Sequence, residues 1–362
     1  MHVLGIETSC DETAAAVVSE TDDASRPWSL ASNVVASQAS IHREWGGVVP
    51  ELASRQHVRD ICGVVEAALA DAGLALDDLG AVAVTQGPGL VGSLLVGVAF
   101  GKSLALARGV PVIPVHHLAG HIESLTLAHG EMPLPAVVLV VSGGHTSLYF
   151  VSERGAYRLI GRTRDDAAGE AYDKVAKLLG LPYPGGPVVD RLARLGNDRA
   201  IDFPSARLTR ADRNAPGDTS DGLLPPDVAR RIDFSFSGLK TSVLRYVRQA
   251  TAGGAPLADG HVADICASFQ RVVVSALLDR TFDAALWLNA RSVGIAGGVS
   301  ANSRLRDEAG ARGRQHGLPV FVPPVSLSTD NAAMIAAAGL RRFRSGRVDT
   351  LDFNADPALA LT

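Results

Sequence analysis

The chain has only three cysteines in 362 residues, Cys10, Cys62 and Cys266. They are odd in number, far apart and free of any Cys-x-x-Cys spacing, which excludes a disulfide frame and fits reduced thiols. Aromatic residues are scarce at 5%, while apolar residues make up 47%. A core rich in Val, Ala, Leu and Gly is the composition of α/β proteins whose strands are covered on both faces. Long uninterrupted apolar runs are missing too. Glu7, Asp11 and Glu12 break what would be a signal-peptide core, and Lys102 with the glycines around it breaks the longest apolar stretch. Export and a membrane span are therefore not expected, and the cytoplasm is the expected location. The net charge of −4 announces no polyanion partner through the whole-chain field, which leaves binding by a local patch. The length exceeds one ordinary core and predicts two lobes.

What is present centres on Val112 to Glu123, Val-Ile-Pro-Val-His-His-Leu-Ala-Gly-His-Ile-Glu. A short buried strand ends near Val115, and helical spacing then runs toward Leu127. His117 and His121 are four apart, so on a helix their Cβ atoms sit about 5–6 Å from each other on one face. They are either a metal-ligand pair or a pair of exposed or core-capping histidines. A His-Glu-x-x-His peptidase needs its general-base carboxylate directly after the first histidine, and Leu118 stands there.

Val3 to Glu7 reads as a strand, Thr8 to Thr13 as a polar turn able to hold phosphate oxygens, and Ala14 to Val18 as a second strand. A third strand near Asn33 to Ser37 precedes a long helix through Leu52 to Leu69, and a strand at Ala81 to Thr85 precedes a helix from Leu90 to Ala107. The segment Gly130 to Pro135 breaks regular structure and divides an N-terminal lobe, 1–132, from a C-terminal lobe, 133–362. The opening pattern then returns: strand Ala136 to Val141, turn Ser142-Gly143-Gly144-His145-Thr146, strand Leu148 to Val151. Two copies of strand, phosphate-sized turn and strand predict a duplicated nucleotide-binding architecture.

Further on, helices are expected at Gly169 to Leu179 and Val188 to Leu195, joined by the turn Tyr183-Pro184-Gly185-Gly186-Pro187. Residues 197–231 are mixed in charge, rich in Pro, Gly and Asp, and predicted to be a long surface insertion. Phe234 to Thr241 starts a helix, His261 to Asn289 is another, and Val293 to Ala296 is a core strand leading into Gly297-Gly298-Val299-Ser300-Ala301-Asn302. Val320 to Val322 is the last strand. Ser328-Thr329-Asp330-Asn331 precedes a helix over Ala332 to Phe343, and Asp330 is either its N-cap or a carboxylate ligand.

Together these motifs resemble the TsaD family, also called Gcp or YgjD. The resemblance rests on Gly5 to Thr13, Gly46 to Arg55, Gly87 to Leu90, His116-His117 with His121, Ser142 to Thr146, Ala168 to Lys174, Tyr183 to Pro187, Phe234 to Thr241, Gly297 to Asn302 and Thr329-Asp330-Asn331, in the family's order. It implies an α/β, duplicated two-lobed fold of the actin, Hsp70 and sugar-kinase (ASKHA) superfamily. It also implies one divalent metal, Fe2+ first and Zn2+ second, held by His117, His121 and Asp330. The nucleotide substrate would be held by Val140, Val141, Ser142, Gly143, Gly144, Asp173, Gly186, Asp190 and Asn302.

The activity so implied is transfer of a threonylcarbamoyl group from threonylcarbamoyl-AMP to N6 of the adenosine 3′ of the anticodon, position 37, in tRNAs reading codons that begin with adenine. A TsaB-like paralogue and a TsaE-like ATPase are the implied partners, with a TsaC-type synthase supplying the substrate. A nucleotide-gated ASKHA binding protein or ATPase and a metallopeptidase are the alternatives. Two departures stand out: the segment Thr209 to Arg231 is longer than the family's usual link, and the tail after Val348 matches no motif. For tRNA, Arg341, Arg342, Arg344 and Arg347, and separately Arg304, Arg306, Arg312 and Arg314, form candidate basic patches. Intramolecular pairing to Asp307 and Glu308 is the competing reading.

Overall fold

The computed structural model describes residues 1–205, 223–346 and 351–361. It divides into two compact units, one made of Met1–Met132, Arg154–Tyr157 and Pro323–Thr362, the other of Pro133–Glu153 and Arg158–Val322. The segment from residue 323 onward, assigned by sequence to the C-terminal lobe, thus packs with the first unit and carries Asp330 there. No local pattern announces such a return, because it is decided by which apolar faces fit. Of the expected 197–231 insertion, residues 206–222 lie outside the described residues, as do residues 347–350, which hold Arg347 of the first arginine patch and the start of the tail; Pro226–Ile232 forms a short helix.

Unit 1 contains β1 (His2–Glu7), β2 (Glu12–Glu20), β3 (Trp28–Ser37), β4 (Leu79–Gly87) and β5 (Val112–His116), ordered β3-β2-β1-β4-β5. The strands β1, β2 and β3 pair antiparallel, and β1-β4 and β4-β5 are parallel. Its longer helices are α1 (Pro50–Ala72), α2 (Val91–Arg108), α3 (His117–His129) and α9 (Ala332–Arg344). Strand residues alternate between two cores. Val3, Ala14, Ala16, Ala81, Ala83, Ile113 and Val115 face α9, while Leu4, Ala15, Val17, Val82, Val84 and Val112 cluster with residues of α1 and α2. This is why the strands read as continuous apolar runs.

Unit 2 contains β6 (Ala136–Val141), β7 (Thr146–Val151), β8 (Tyr157–Arg162), β9 (Ser292–Ala296) and β10 (Val320–Phe321), ordered β10-β9-β6-β7-β8. The pairs β6-β7 antiparallel, β6-β9 parallel and β9-β10 parallel reproduce the connectivity of unit 1. The expected duplication is therefore present as topology. The edge strand β8 escapes sequence detection because Arg158 and Arg162 interrupt its apolar pattern. The helices are α4 (Ala168–Leu178), α5 (Gly185–Ala193), α6 (Ser237–Ala250), α7 (Asp259–Trp287) and α8 (Ser303–His316). Gly185 and Gly186, read from sequence as part of a turn, are the first residues of α5.

Among the described residues, two helices, α2 and α7, are long and apolar enough to cross a membrane by length and composition. Most of α7 is buried as a core helix of unit 2, whereas α2 leaves Val91, Leu95 and Leu106 exposed.

Candidate metal centre and nucleotide site

The histidine pair sits where β5 passes directly into α3. His116 caps the helix, its Nδ1 accepting the Leu118 N–H at 3.1 Å while its Nε2 donates to the Leu359 carbonyl at 3.0 Å. His117 and His121 then lie one turn apart, both buried, with ring centroids 4.7 Å apart and planes at 79°. Asp330 reaches the same point from the residue before the α9 cap. Asn331 is the cap itself, its Oδ1 accepting the Met334 N–H at 3.1 Å, so the Asp330 carboxylate is not used as the cap.

Close backbone packing sets this approach. A Cβ on Gly5 in β1 would run into the Ala332 carbonyl and lie 2.7 Å from the Ala336 nitrogen. One on Gly120, between the two histidines, would lie 2.9 Å from Ile335 Cδ1. At position 5, where the obstacle is backbone, only glycine lets β1 come this near the start of α9.

The separations fit a shared ion. His121 Nε2 is 3.2 Å and His117 Nε2 3.6 Å from Asp330 Oδ1, and one ligand atom from each residue lies within 4.8 Å of the others. Ligands bound at about 2.0–2.1 Å in a tetrahedron are roughly 3.3 Å apart. Among the described residues, both ring nitrogens of His121 are buried without a hydrogen-bond partner of proper geometry. Two orphaned imidazole nitrogens would cost free energy unless something else satisfies one of them. The residues present therefore fit a divalent cation.

Glu7 supplies the outer support. Its Oε2 accepts His117 Nδ1–H at 3.0 Å and the Thr85 hydroxyl at 2.7 Å, and its other oxygen accepts the Ser9 N–H. Burial alone would push Glu7 up, but the adjacent His117 overrides this and holds its carboxyl below the ordinary range. That bond fixes the ring so that Nε2 faces the site. Burial pulls His117 down, yet Asp330 and Glu7 outweigh it and raise the imidazole to about 9. Burial keeps His121 below its ordinary value. Glu12 is pushed up to about 10 by burial, then by the charges of Asp330 and Asp11. Burial also pushes the Cys10 thiol up, away from the nucleophilic thiolate.

Glu7 was not singled out from sequence. The signal that could have found it is a carboxylate ending a strand that is otherwise wholly apolar, Val3 to Ile6, just before a polar turn.

The residues matched to the nucleotide lie in unit 2 around α4. Gly169 in its first turn presses on the β6–β7 turn, with its N–H 3.3 Å from the Ser142 carbonyl, and Thr146 Oγ1 accepts the Ala168 N–H at 2.9 Å. Asp173 Oδ1 accepts the Gly185 N–H at 2.7 Å, which ties α4 to the start of α5 beside Gly186. A Cβ on Gly143, Gly144 or Gly186 would meet nothing, so the backbone there borders open space. Val140 and Val141 are fully buried strand residues, paired with Ser147 and Thr146 of β7, and Val140 also with Ala296 of β9. Asp190 on α5 and Asn302, the α8 cap, are joined through the buried Gln270 of α7.

Four of the eight arginines in the expected patches are held in ion pairs. Arg341 is mostly buried, bonding Glu123 at 3.0 Å and Glu131 at 2.8 Å, and Arg344 bonds Glu20 at 2.7 Å. Arg304 pairs with Asp198 and Glu308, and Arg312 with Asp279. Their partners come mostly from distant sequence, so helix spacing alone did not reveal them. In the tail, Asp356 N–H donates to the Gln86 carbonyl at 2.9 Å and Lys102 donates to the Phe353 carbonyl, which docks the unmatched segment beside β4.

The sequence profile described as TsaD, tRNA N6-adenosine threonylcarbamoyltransferase, matches residues 29–337. The protein of that name from Moorella thermoacetica is 52% identical over 360 residues, covering 99% of this chain and 97% of that protein. The one from Bacillus subtilis is 47% identical over 363 residues, covering 100% and 96%. Among solved structures, full-length HypF in its phosphate- and nucleotide-bound form matches with a TM-score of 0.56 at 13% identity, covering 95% of this chain and 46% of that one. Component A of (R)-2-hydroxyglutaryl-CoA dehydratase from Acidaminococcus fermentans matches with a TM-score of 0.50 at 13% identity, covering 94% and 96%. These likenesses place the fold among the ASKHA type. The chain belongs to the tRNA N6-adenosine threonylcarbamoyltransferase family, TsaD, a family of transferases that modify tRNA.

Proposed function

We propose that the chain transfers the threonylcarbamoyl group from threonylcarbamoyl-AMP to N6 of adenosine 37 in tRNAs that read codons beginning with adenine. The full-length match to proteins named for this reaction carries the reading. The N6 lone pair attacks the carbamoyl carbon, the bond from that carbon to the phosphate oxygen breaks, and AMP leaves as the N6 proton passes to water. An exocyclic adenine amine is a weak nucleophile, so positioning and stabilisation of the departing phosphate must lower the barrier. No side-chain nucleophile is needed, in keeping with the raised Cys10 thiol.

His117, His121 and Asp330 would hold one divalent ion, Fe2+ first and Zn2+ second, since two imidazoles and a carboxylate leave coordination positions open. When bound, it supplies Lewis-acid polarisation of a substrate oxygen. Glu7 keeps His117 in the tautomer that offers Nε2. In unit 2, the open backbone at Gly143 and Gly144 is suited to phosphate oxygens, and Asp173, Gly186, Asp190 and Asn302 to the rest of the nucleotide. The position after His117 is the buried Leu118, which offers no general base for a peptidase.

The family resemblance further supports a cytoplasmic setting with a TsaB-like paralogue and a TsaE-like ATPase as partners. The test is transfer with purified proteins, an unmodified tRNA transcript and threonylcarbamoyl-AMP. Release of AMP together with threonylcarbamoyladenosine in the tRNA is the expected result, and AMP release without modified nucleoside would overturn it.

A further inference from the structure

Asp190 accepts four hydrogen bonds from the protein. Its Oδ1 accepts Gln270 Nε2–H at 3.0 Å and the Ser303 hydroxyl at 2.8 Å, and its Oδ2 accepts the Ser303 N–H and Arg194 Nη2–H, both at 3.3 Å. The two contacts to Oδ2 are the long ones and Arg194 is 63% exposed, so Oδ2 is the oxygen that a ligand hydroxyl can reach by displacing them, while Oδ1 is held inside. Because Asp190 only accepts, Gln270 must turn its NH2 toward it and its carbonyl oxygen toward Asn302. Asn302 Nδ2 donates to that oxygen at 2.9 Å, and its own Oδ1 caps α8 by accepting the Leu305 N–H at 3.0 Å. The second contact of Asn302 Nδ2 is the Tyr172 hydroxyl at 3.4 Å. Asp190 thus sets the orientation of the Gln270 amide, the cap bond to Leu305 sets that of Asn302, and Gln270, 2% exposed in an apolar stretch of α7, links the two.

We propose that Gln270 is a positioning residue for the substrate nucleotide, aligning Asp190 on α5 with Asn302 at the head of α8. This rests on the reading that Asp190 and Asn302 hold that nucleotide. Without Gln270, the Asn302 amide keeps its cap bond to Leu305 but loses the 2.9 Å anchor of its Nδ2, and Asp190 loses its buried donor and keeps Ser303 and Arg194. The two groups then keep their places in the chain but not their mutual alignment.

The probe is AMP, titrated calorimetrically into the full-length protein. Gln270→Met keeps length and apolar packing while removing both hydrogen bonds. It should weaken AMP binding about ten- to hundredfold with a melting temperature near that of wild type. Gln270→Glu is the companion variant. Its carboxyl faces Asp190 and must hold a proton to donate to it. The charged and titratable groups that act on Tyr172, whose hydroxyl shares Asn302 Nδ2, are Asp190, Arg304, Cys266 and Glu308, and Arg194 pairs with Asp190. Its AMP affinity should be near wild type at low pH and fall as pH rises, a step that wild type lacks. If Gln270→Met does not fold, the pH profile of Gln270→Glu decides alone. AMP binding unchanged in Gln270→Met, or a Gln270→Glu profile parallel to wild type, would overturn the proposal. Asp190→Ala and Asn302→Ala serve as controls: unchanged AMP binding in both would remove the underlying nucleotide assignment, whatever Gln270 does.

Discussion

His121 Nε2 lies 3.2 Å from Asp330 Oδ1, yet among the described residues neither nitrogen of that buried ring has a hydrogen-bond partner of proper geometry. The contact has the separation of two ligands on one ion and lacks the geometry of a donor and acceptor. His121→Ala and Asp330→Ala should therefore purify with much less iron or zinc than wild type, and His117→Ala likewise. Elemental analysis of the folded proteins checks this; full occupancy in all three variants would dissolve the triad.

Metal affinity should rise with pH. In the metal-free chain His117 titrates at about 9, so at neutral pH it carries a proton that the ion must displace. Affinity should then increase about tenfold per pH unit up to that value and level off above it. The stability of the metal-free chain has the opposite sign. A folded pKa raised above about 6.5 contributes stability fully present below 6.5 and lost as pH rises through about 9. Competition titrations with a chromophoric chelator from pH 6 to 9 measure the first, and denaturant unfolding of the metal-free protein the second.

Gly5→Val should lower stability by about 1–3 kcal/mol and lower metal content with it. The atoms it would strike are the Ala332 carbonyl and the Ala336 nitrogen, backbone of the helix that follows Asp330. Denaturant midpoints together with metal analysis check this. Lost stability with metal fully retained would separate the packing of α9 from the site.

Arg341→Gln should act on folding more than on RNA. It leaves Glu123 and Glu131, both largely buried, short of their cation, and breaking such a pair costs about 3–5 kcal/mol. The same arginine covers the Trp28 ring at 5.2 Å. A thermal melt well below wild type is expected. An unchanged melt with weaker tRNA binding would return this residue to the docking surface.

The parts of the fold legible in sequence were those carried by local pattern. Ala136 to Val141 reads as a strand because both its faces are buried, and β6 has those bounds. His117 and His121 were visible because helical spacing itself makes them neighbours. Their closeness to Asp330, across more than 200 residues, came only through the family resemblance. Whether Asp330 caps the helix turned on a shift of one residue, settled by the Asn331 bond to Met334. Gln270 and Glu7 stayed hidden because a polar residue within an apolar run has no period of its own. Arg341 looked solvated because its partners, Glu123 and Glu131, stand far away in sequence.

The most direct measurement is nucleoside mass spectrometry of total tRNA from cells depleted of this protein and complemented with wild type or with His121→Ala. The account predicts that threonylcarbamoyladenosine falls on depletion, returns with wild type and does not return with His121→Ala. An undiminished level of that nucleoside after depletion, with no second copy of the gene to supply it, would contradict the account.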